Sequence, residues 1–298
     1  MNGLSENTSE AADRLPIWAA LTAATAHLAG CGIASARVDA ELIAASVLGV
    51  ARGRLALSSG FDAAGRAQFD ELVSRRAARE PVQHLTGSAP FRYLELAVGP
   101  GVFVPRPETE LLAGAGIDAV RERAGTVVDL CSGSGAVALA VAHEVPTARV
   151  IAVERSAESL EWLRRNALRR AAAGDRPIEV VPGDVTDPGL LAELTGQVDV
   201  LLCNPPYVPD GTPVPPEVAG HDPAEAVFGG PDGLAVIRPV VSLAAVLLRP
   251  GGLLGVEHDD SHADAVVALI AADGRFADVA GQRDLAGRPR YVTAHRAG

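Results

Sequence analysis

Lysine is absent: all 26 residues counted as Lys or Arg are arginine. Schiff-base catalysis and a P-loop with its phosphate-binding lysine are thereby excluded. Cysteine is scarce. Cys31, Cys131 and Cys203 are odd in number and widely scattered. They allow no disulfide framework and no zinc spacing, so a reducing, cytoplasmic setting without a metal is expected. No apolar run approaches the length that crosses a bilayer. The opening residues, MNGLSENTSEAADR, lack the basic start and apolar stretch of a secretory signal and read as a frayed polar tail. Positive charge is also in deficit: the formal net charge is −11. A basic stripe of the kind that tracks naked nucleic acid is missing, and the small cluster Arg75, Arg76 and Arg79 reads as a solvated helix face.

What is present suffices for two modest domains, with 298 residues of which 48% are hydrophobic. From Leu15 to about Glu80 the pattern is helical. Ile17, Leu21, Ala24 and Leu28 fall at helical steps behind Pro16, and Gly30 to Gly32 stop that helix. A second run carries Val38, Leu42, Ala45 and Leu48 before Gly49, and a third carries Phe69, Leu72 and Val73. Residues 1–81 are therefore expected to form a helical bundle. Between Val82 and Pro107, FRYLELAVGPGVFVPRP alternates apolar and polar residues and is broken by Gly99-Pro100-Gly101, the pattern of a hairpin linker. From 108 to 298, strand-like runs alternate with helical ones: TVVDL, RVIAVE, IEVV, VDVLLC and GLLGVE, with RYVTAHR as a last strand. That alternation predicts an α/β domain, a parallel sheet covered by helices.

VVDLCSGSGAVALA sets a glycine-rich turn between a strand and a helix. Gly133 and Gly135 let a ligand approach the backbone, and the helix behind them offers free N–H groups. Nucleotides dock at this first turn of doubly wound sheets. Glu154 ends the next strand, where an acid accepts ribose hydroxyls, and Asp184 after the third strand reaches toward an adenine amino group. Three acids at successive strand ends point to an adenosine ligand. The turn alone fits a nicotinamide dinucleotide as well as a methyl donor. A dehydrogenase needs a hydride-handling group, however, and His143, His258 and His262 all read as surface residues.

VDVLLCNPPYVPD then ends a buried strand on Asn204, Pro205, Pro206 and Tyr207, at the sheet edge beside the glycine turn. Asn204 brings a side-chain carbonyl and Pro205 a backbone carbonyl, while the paired prolines stiffen the turn. Tyr207 adds a flat face. Such a pair of acceptors suits a planar –NH₂ group held for attack on a strong electrophile. A sulfonium methyl is one.

DLCSGSG, VE and NPPY together resemble the class I S-adenosylmethionine methyltransferases that modify amino groups of DNA adenine, ribosomal RNA guanine and protein glutamine. REPVQHLTGSAPFRYLELAVGPGVFVPRPETELL, DAELIAASVLG and DPAEAVFGGPDGL narrow the resemblance to the PrmC/HemK family, across nearly the whole chain. The resemblance implies a Rossmann-like sheet with an antiparallel last strand, following an N-terminal bundle that recognises peptide chain release factors. It further implies methylation at N5 of the glutamine in their Gly-Gly-Gln motif. Asn204 and Pro205 would hold the target amide, with Pro206, Tyr207 and Phe103 walling it and Arg106 bracing Phe103. Asp129, Cys131, Ser132, Gly133, Ser134, Gly135 and Glu154 would hold the methionine and ribose parts of S-adenosyl-L-methionine, Asp184 and Val185 the adenine, and Asn204 would border the cofactor as well. Two positions depart from the family pattern: Cys131 stands where the turn usually begins with glycine, and Val185 where many relatives have an aromatic. A cytoplasmic monomer without stable nucleic-acid binding is expected. The alternatives are a nucleic-acid amino-group methyltransferase and a binding module with a vestigial site. The acidic chain and FVPRPETE argue against the first, the intact Asn204, Gly133, Gly135 and Glu154 against the second.

Overall fold

A computed structural model describes residues 17–298, so the polar start and Pro16 lie outside the described residues. The chain divides into two compact units, one up to Gly87 and one from Ser88 to Gly298.

Among the described residues the first unit contains four helices, α1 (Ile17–Gly30), α2 (Ala36–Leu48), α3 (Ala63–Ala77) and α4 (Val82–Thr86), with a 3₁₀ turn at Arg52–Leu57. Helix α1 buries Ile17, Leu21, Ala24 and Leu28, the stripe read from the sequence, and α3 buries Phe69, Leu72 and Val73. Asp62 caps α3 by accepting from the Gly65 N–H at 2.7 Å. Helix α2 departs from expectation. Its buried face is Ala36, Asp39, Ala40, Ile43, Ala44 and Ala45; of the expected stripe Ala45 is buried, Leu42 and Leu48 are partly buried, and Val38 is exposed. Small residues let the helices approach closely, and a stripe of alanines is weak in hydrophobicity. The arginine cluster is a solvated face only at Arg75, which is exposed. Arg76 is buried and donates to Asp39 at 2.7 Å, Arg75 pairs with Glu80, and Arg79 donates to the carbonyls of Cys31 and Gly32. The buried acid on α2 is what admits Arg76 to the interior.

In the second unit, β1 (Ser88–Phe91) and β2 (Leu94–Ala97) make a hairpin whose turn falls at Arg92-Tyr93, not at Gly99-Pro100-Gly101 as expected. Arg92 is held there by Glu110 and Glu144. The glycine segment instead lies against α7 (Ala157–Ala172), where Trp162 donates to the Pro100 carbonyl and Ser159 to that of Gly101.

The main sheet has seven strands: β3 (Thr126–Leu130), β4 (Arg149–Glu154), β5 (Glu179–Pro182), β6 (Val198–Cys203), β7 (Leu248–Glu257), β8 (Phe276–Arg283) and β9 (Pro289–Arg296). Their order is β5-β4-β3-β6-β7-β9-β8. The first five are parallel, and β9 runs antiparallel to both neighbours. The antiparallel last strand is as expected. Strand β8 is an addition that the sequence did not announce, because most of its side chains face solvent and only Phe276 is buried.

Alternation along the strands feeds two cores. Val128, Leu130, Ile151 and Val153 face one side, with α8 (Ile237–Leu247) and α9 (Ala263–Asp273); Val127, Val150 and Ala152 face the other, with α5 (Thr109–Val120) and α6 (Ala136–Glu144). The chain winds outward from β3 to β5 and then returns to β6 on the other side of β3. That reversal opens a crevice at the carboxyl ends of β3 and β6. Leu130 pairs with Cys203 in register, so Cys131 and Asn204 open their turns side by side. Among the described residues, no helix is long and apolar enough to cross a membrane and no cluster of His, Cys, Asp or Glu could hold a metal ion.

Candidate active site

The turn after β3 is left-handed at Cys131, Gly133 and Gly135, with φ of 57°, 54° and 87°. Gly135 is required twice over: besides its φ, an added Cβ would lie 2.5 Å from Leu163. At Gly133 a Cβ would meet nothing within 4 Å, so this part of the turn borders open space. Asp129 lies beneath the turn, 2% exposed. Its Oδ2 accepts from the Ser132 hydroxyl at 2.8 Å and from the Ala138 N–H at 3.1 Å. Burial pushes its carboxyl up to about 7 against the pull of those two donors. Asp129 thus holds the turn from below, and the buried side chains of Ser132 and Ser134 leave only their backbone to face a ligand.

Glu154, at the end of β4, joins the turn directly. Its Oε2 accepts from the Gly133 N–H at 2.8 Å, and its Oε1 from the N–H groups of Arg155 and Ser156 at 2.8 and 2.7 Å. With three of its lone-pair directions taken, room remains on Oε2 for a ribose hydroxyl. Asp184 follows β5. The Thr186 N–H and hydroxyl on its Oδ1, with Arg155 on Oδ2, hold its carboxyl below the usual range. Val185 is partly buried against the core beside it.

At the end of β6, Asn204 donates from Nδ2 to the Thr109 hydroxyl at 3.3 Å, and the Tyr207 hydroxyl donates to Glu257 Oε1 at 3.3 Å. Among the described residues no donor reaches Asn204 Oδ1 or the Pro205 carbonyl. The backbone beyond is strapped down: Val208 donates to Val227 at 3.0 Å, and Gly229 donates back to Val208 at 2.8 Å. The Pro206 carbonyl would stand 2.5 Å from a Cβ at Gly229. A close backbone approach thus accounts for the glycine in AVFGGPDG. Phe103 lies under the Arg106 guanidinium, 4.8 Å from its ring centre, and Arg106 donates to the buried Asp222 at 2.8 Å. Cys203 is fully buried and its thiol is pushed up, by burial first and then by contact with the Cys131 thiol.

The crevice therefore gathers the glycine turn, Glu154 and Asn204 to Tyr207 around the ends of neighbouring strands. Three contributors were missed by sequence reasoning. Asn166 on α7 bonds both the N–H and carbonyl of Ala97 and the carbonyl of Ser134, tying the hairpin to the glycine turn. Thr109 and Glu257 stand behind Asn204 and Tyr207. No local pattern marks any of them, since each acts on a distant part of the chain. The histidine reading needs correction: His258 is fully buried, not on the surface. It follows β7 in mid-sheet, its N–H bonded to the Arg290 carbonyl, and burial holds its ring below the usual pKa. His143 remains partly exposed, 2.9 Å from Asp175.

The reversed sheet order with its antiparallel last strand, and the two turns in its crevice, define a class I S-adenosylmethionine-dependent methyltransferase. Residues 19–87 match the PrmC N-terminal domain and residues 107–216 the methyltransferase small domain. The chain is 54% identical over 277 residues to the release factor glutamine methyltransferase of Mycolicibacterium smegmatis, covering 93% of this chain and 96% of that one. It is 48% identical to that of Streptomyces coelicolor, over 92% and 96% of the two chains. Among solved structures, a T. thermophilus 16S rRNA methyltransferase in complex with AdoMet and guanosine is similar at a TM-score of 0.49 and 22% identity, covering 70% of this chain and 49% of that one. The chain belongs to the release factor glutamine methyltransferase family.

Proposed function

We propose that this chain transfers the methyl group of S-adenosyl-L-methionine to the N5 amide nitrogen of the glutamine in the Gly-Gly-Gln motif of peptide chain release factors. The observation that carries this reading is the pair of carbonyls at Asn204 and Pro205, unclaimed by any donor among the described residues, beside the glycine turn. Two donors on one planar nitrogen match two acceptors on a stiff turn.

The residues present fit the cofactor. Gly133 borders open space and Glu154 keeps acceptor capacity on Oε2, as a ribose beside the turn requires. Asp184 and Val185 line the adenine side. When bound, the cofactor supplies an electrophilic methyl on a positively charged sulfur. Asn204 Oδ1 and the Pro205 carbonyl hold the two amide hydrogens of the substrate, which fixes the nitrogen in line for attack. Pro206, the Tyr207 face and Phe103 wall the amide and keep water out. An amide nitrogen that gains a methyl becomes strongly acidic, so its surplus proton passes to water without a dedicated base.

The remaining assignments belong to the same proposal. Residues 1–81 recognise the release factor, 82–107 link, and 108–298 catalyse. The enzyme works as a cytoplasmic monomer and holds no nucleic acid stably. Incubation with methyl-labelled cofactor and release factor, followed by peptide mapping, is expected to place the label on that single glutamine. Label on another residue or on nucleic acid overturns the reading. Asn204→Ala is expected to lower turnover by about 10³-fold, the scale seen when one preorganised polar contact at a reacting group is lost. Calorimetry should find its cofactor binding retained.

A further inference from the structure

One buried side chain bonds to two segments that the proposed function assigns to opposite sides of the crevice. Asn166, on α7, is 2% exposed. Its Oδ1 accepts from the Ala97 N–H at 2.8 Å, and its Nδ2 donates to the carbonyls of Ala97 at 2.9 Å and Ser134 at 3.0 Å. Ala97 ends β2, and the chain runs on from there to Phe103 and Arg106. Ser134 belongs to the glycine turn. The same face of α7 holds the segment after Ala97: Trp162 donates to the Pro100 carbonyl at 3.0 Å and Ser159 to the Gly101 carbonyl at 3.1 Å. Residues 159, 162 and 166 follow one another at helical steps of three and four, so a single stripe carries all of them. We propose that Asn166 is a positioning residue, which sets the glycine turn at a fixed distance from the segment leading to Phe103. This rests on the reading of the glycine turn as the cofactor site.

The partners leave little choice of side chain. An N–H and two carbonyls must be met from one position, which takes an acceptor and two donors. A primary amide supplies that set, whereas a carboxylate has no donor and a hydroxyl has one. The orientation is settled as well. Turned end for end, the amide would set its NH₂ against the Ala97 N–H and its oxygen against both carbonyls. No ionisable group takes part, so the arrangement does not titrate. The glycine turn needs such a hold, because Gly135, with φ of 87°, leaves the Ser134–Gly135 peptide free of the restraint a Cβ would impose. The N–H of that peptide donates to the Ser132 carbonyl at 2.8 Å within the turn, and its carbonyl is claimed by Asn166. Ala97 and Ser134 are both buried. Without Asn166 their three backbone groups lose their partners, and the turn and the end of the hairpin can shift against each other.

The test compares Asn166→Ala with Trp162→Phe and Ile270→Ala in the full chain. Trp162→Phe keeps a ring on the same helix and loses the bond to Pro100. Ile270, fully buried on α9, belongs to the core on the other face of the sheet. Calorimetry measures cofactor affinity, steady-state kinetics kcat and KM with release factor, and hydrogen exchange the amides of residues 97–101 and 131–136. Asn166→Ala is expected to weaken cofactor binding by about 10-fold and to lower kcat at saturating cofactor by about 10- to 100-fold, the scale of a small misplacement at reacting groups. Both segments should exchange faster together. Trp162→Phe and Ile270→Ala should keep cofactor affinity within about twofold of wild type, even where Ile270→Ala lowers the thermal midpoint as far. Unchanged cofactor affinity or unchanged kcat in Asn166→Ala overturns the proposal. So does a loss of affinity that Ile270→Ala reproduces at an equal thermal midpoint, which marks a merely structural role. If Asn166→Ala does not fold, Asn166→Ser, which keeps a donor, is judged by the same criteria. Cofactor that protects no amide of residues 131–136 in the wild type sinks the reading of the turn instead.

Discussion

The two halves of the crevice are built differently. On the side proposed for the cofactor, most supporting contacts are short-range in sequence: Asp129 holds Ser132 and Ala138, and Glu154 holds Gly133, Arg155 and Ser156, with Asn166 on the Ser134 carbonyl as the exception. All but Asn166 come from a single strand-turn-helix-strand unit and the two residues after it. On the acceptor side the supports come from far away, with Asn204 on Thr109, Tyr207 on Glu257 and Arg106 on Asp222, the last pair 116 residues apart. A site of the first kind forms with its own local unit. The second kind exists only once the whole domain has assembled, and its geometry is open to change from remote positions.

That difference should separate binding from turnover. Glu154→Ala is expected to weaken cofactor binding by roughly 10- to 100-fold, the loss of one or two hydrogen bonds to a charged acceptor. At saturating cofactor its kcat should stay within a few-fold of wild type, the opposite of Asn204→Ala. Titration calorimetry with steady-state kinetics reads both quantities. Intact affinity in Glu154→Ala would mean that backbone groups alone hold the ligand on this side.

Asp129 allows the local half to be probed by pH. Its carboxyl titrates at about 7 when folded and near 3.9 in an unfolded chain. Between those values the folded form keeps a proton that the unfolded form has released. Stability contributed by this group is therefore full below about pH 4 and lost as pH rises toward 7, at up to about 1.4 kcal/mol per pH unit. Asn in its place still accepts from Ser132 and Ala138 but carries no titrating proton. Asp129→Asn should flatten the fall in stability between pH 5 and pH 7.5, read as denaturant midpoints. Glu257, also near 7, leaves a residual slope. An unchanged profile would show that Asp129 stays ionised in the fold.

The same contrast explains what could be read in advance. Strands β3, β4 and β6 were legible because they are buried runs that end in turns with strong local chemistry. The positions of Glu154 and Asn204 were legible for the same reason, since each stands at the end of such a run. Strand β8 was not, because a mostly exposed sheet-edge strand shows no apolar pattern. On α2 only Val38 was misplaced, because small alanines, and not the larger apolar residue, make most of the buried face. The hairpin turn was assigned to Gly99-Pro100-Gly101, the strongest local breaker, whereas tertiary contacts of Arg92 with Glu110 and Glu144 fix it elsewhere. Thr109, Asn166 and Glu257 are ordinary polar residues until the fold brings their partners to them. His258 looked exposed among acids because nothing local shows that β9 lies beside it.

The smallest expected effect bears on Cys131, the non-glycine residue in the left-handed opening of the turn, at φ 57°. That conformation costs a residue with a Cβ about 1–2 kcal/mol. Cys131→Gly removes this strain, but adds roughly 0.5–1 kcal/mol of freedom to the unfolded chain. It also gives up the thiol's packing on the core and its contact with Cys203. The opposing effects nearly cancel, so stability should move by less than about 1 kcal/mol in urea denaturation, with cofactor affinity unchanged. Gly135 provides the control within the same turn. There Ala meets both the left-handed φ of 87° and the Leu163 side chain at 2.5 Å, so Gly135→Ala should cost well over 1 kcal/mol, on the order of 2–4. A Cys131→Gly loss as large as that would mean that the thiol contact with the neighbouring strand, and not the backbone, holds the start of the turn.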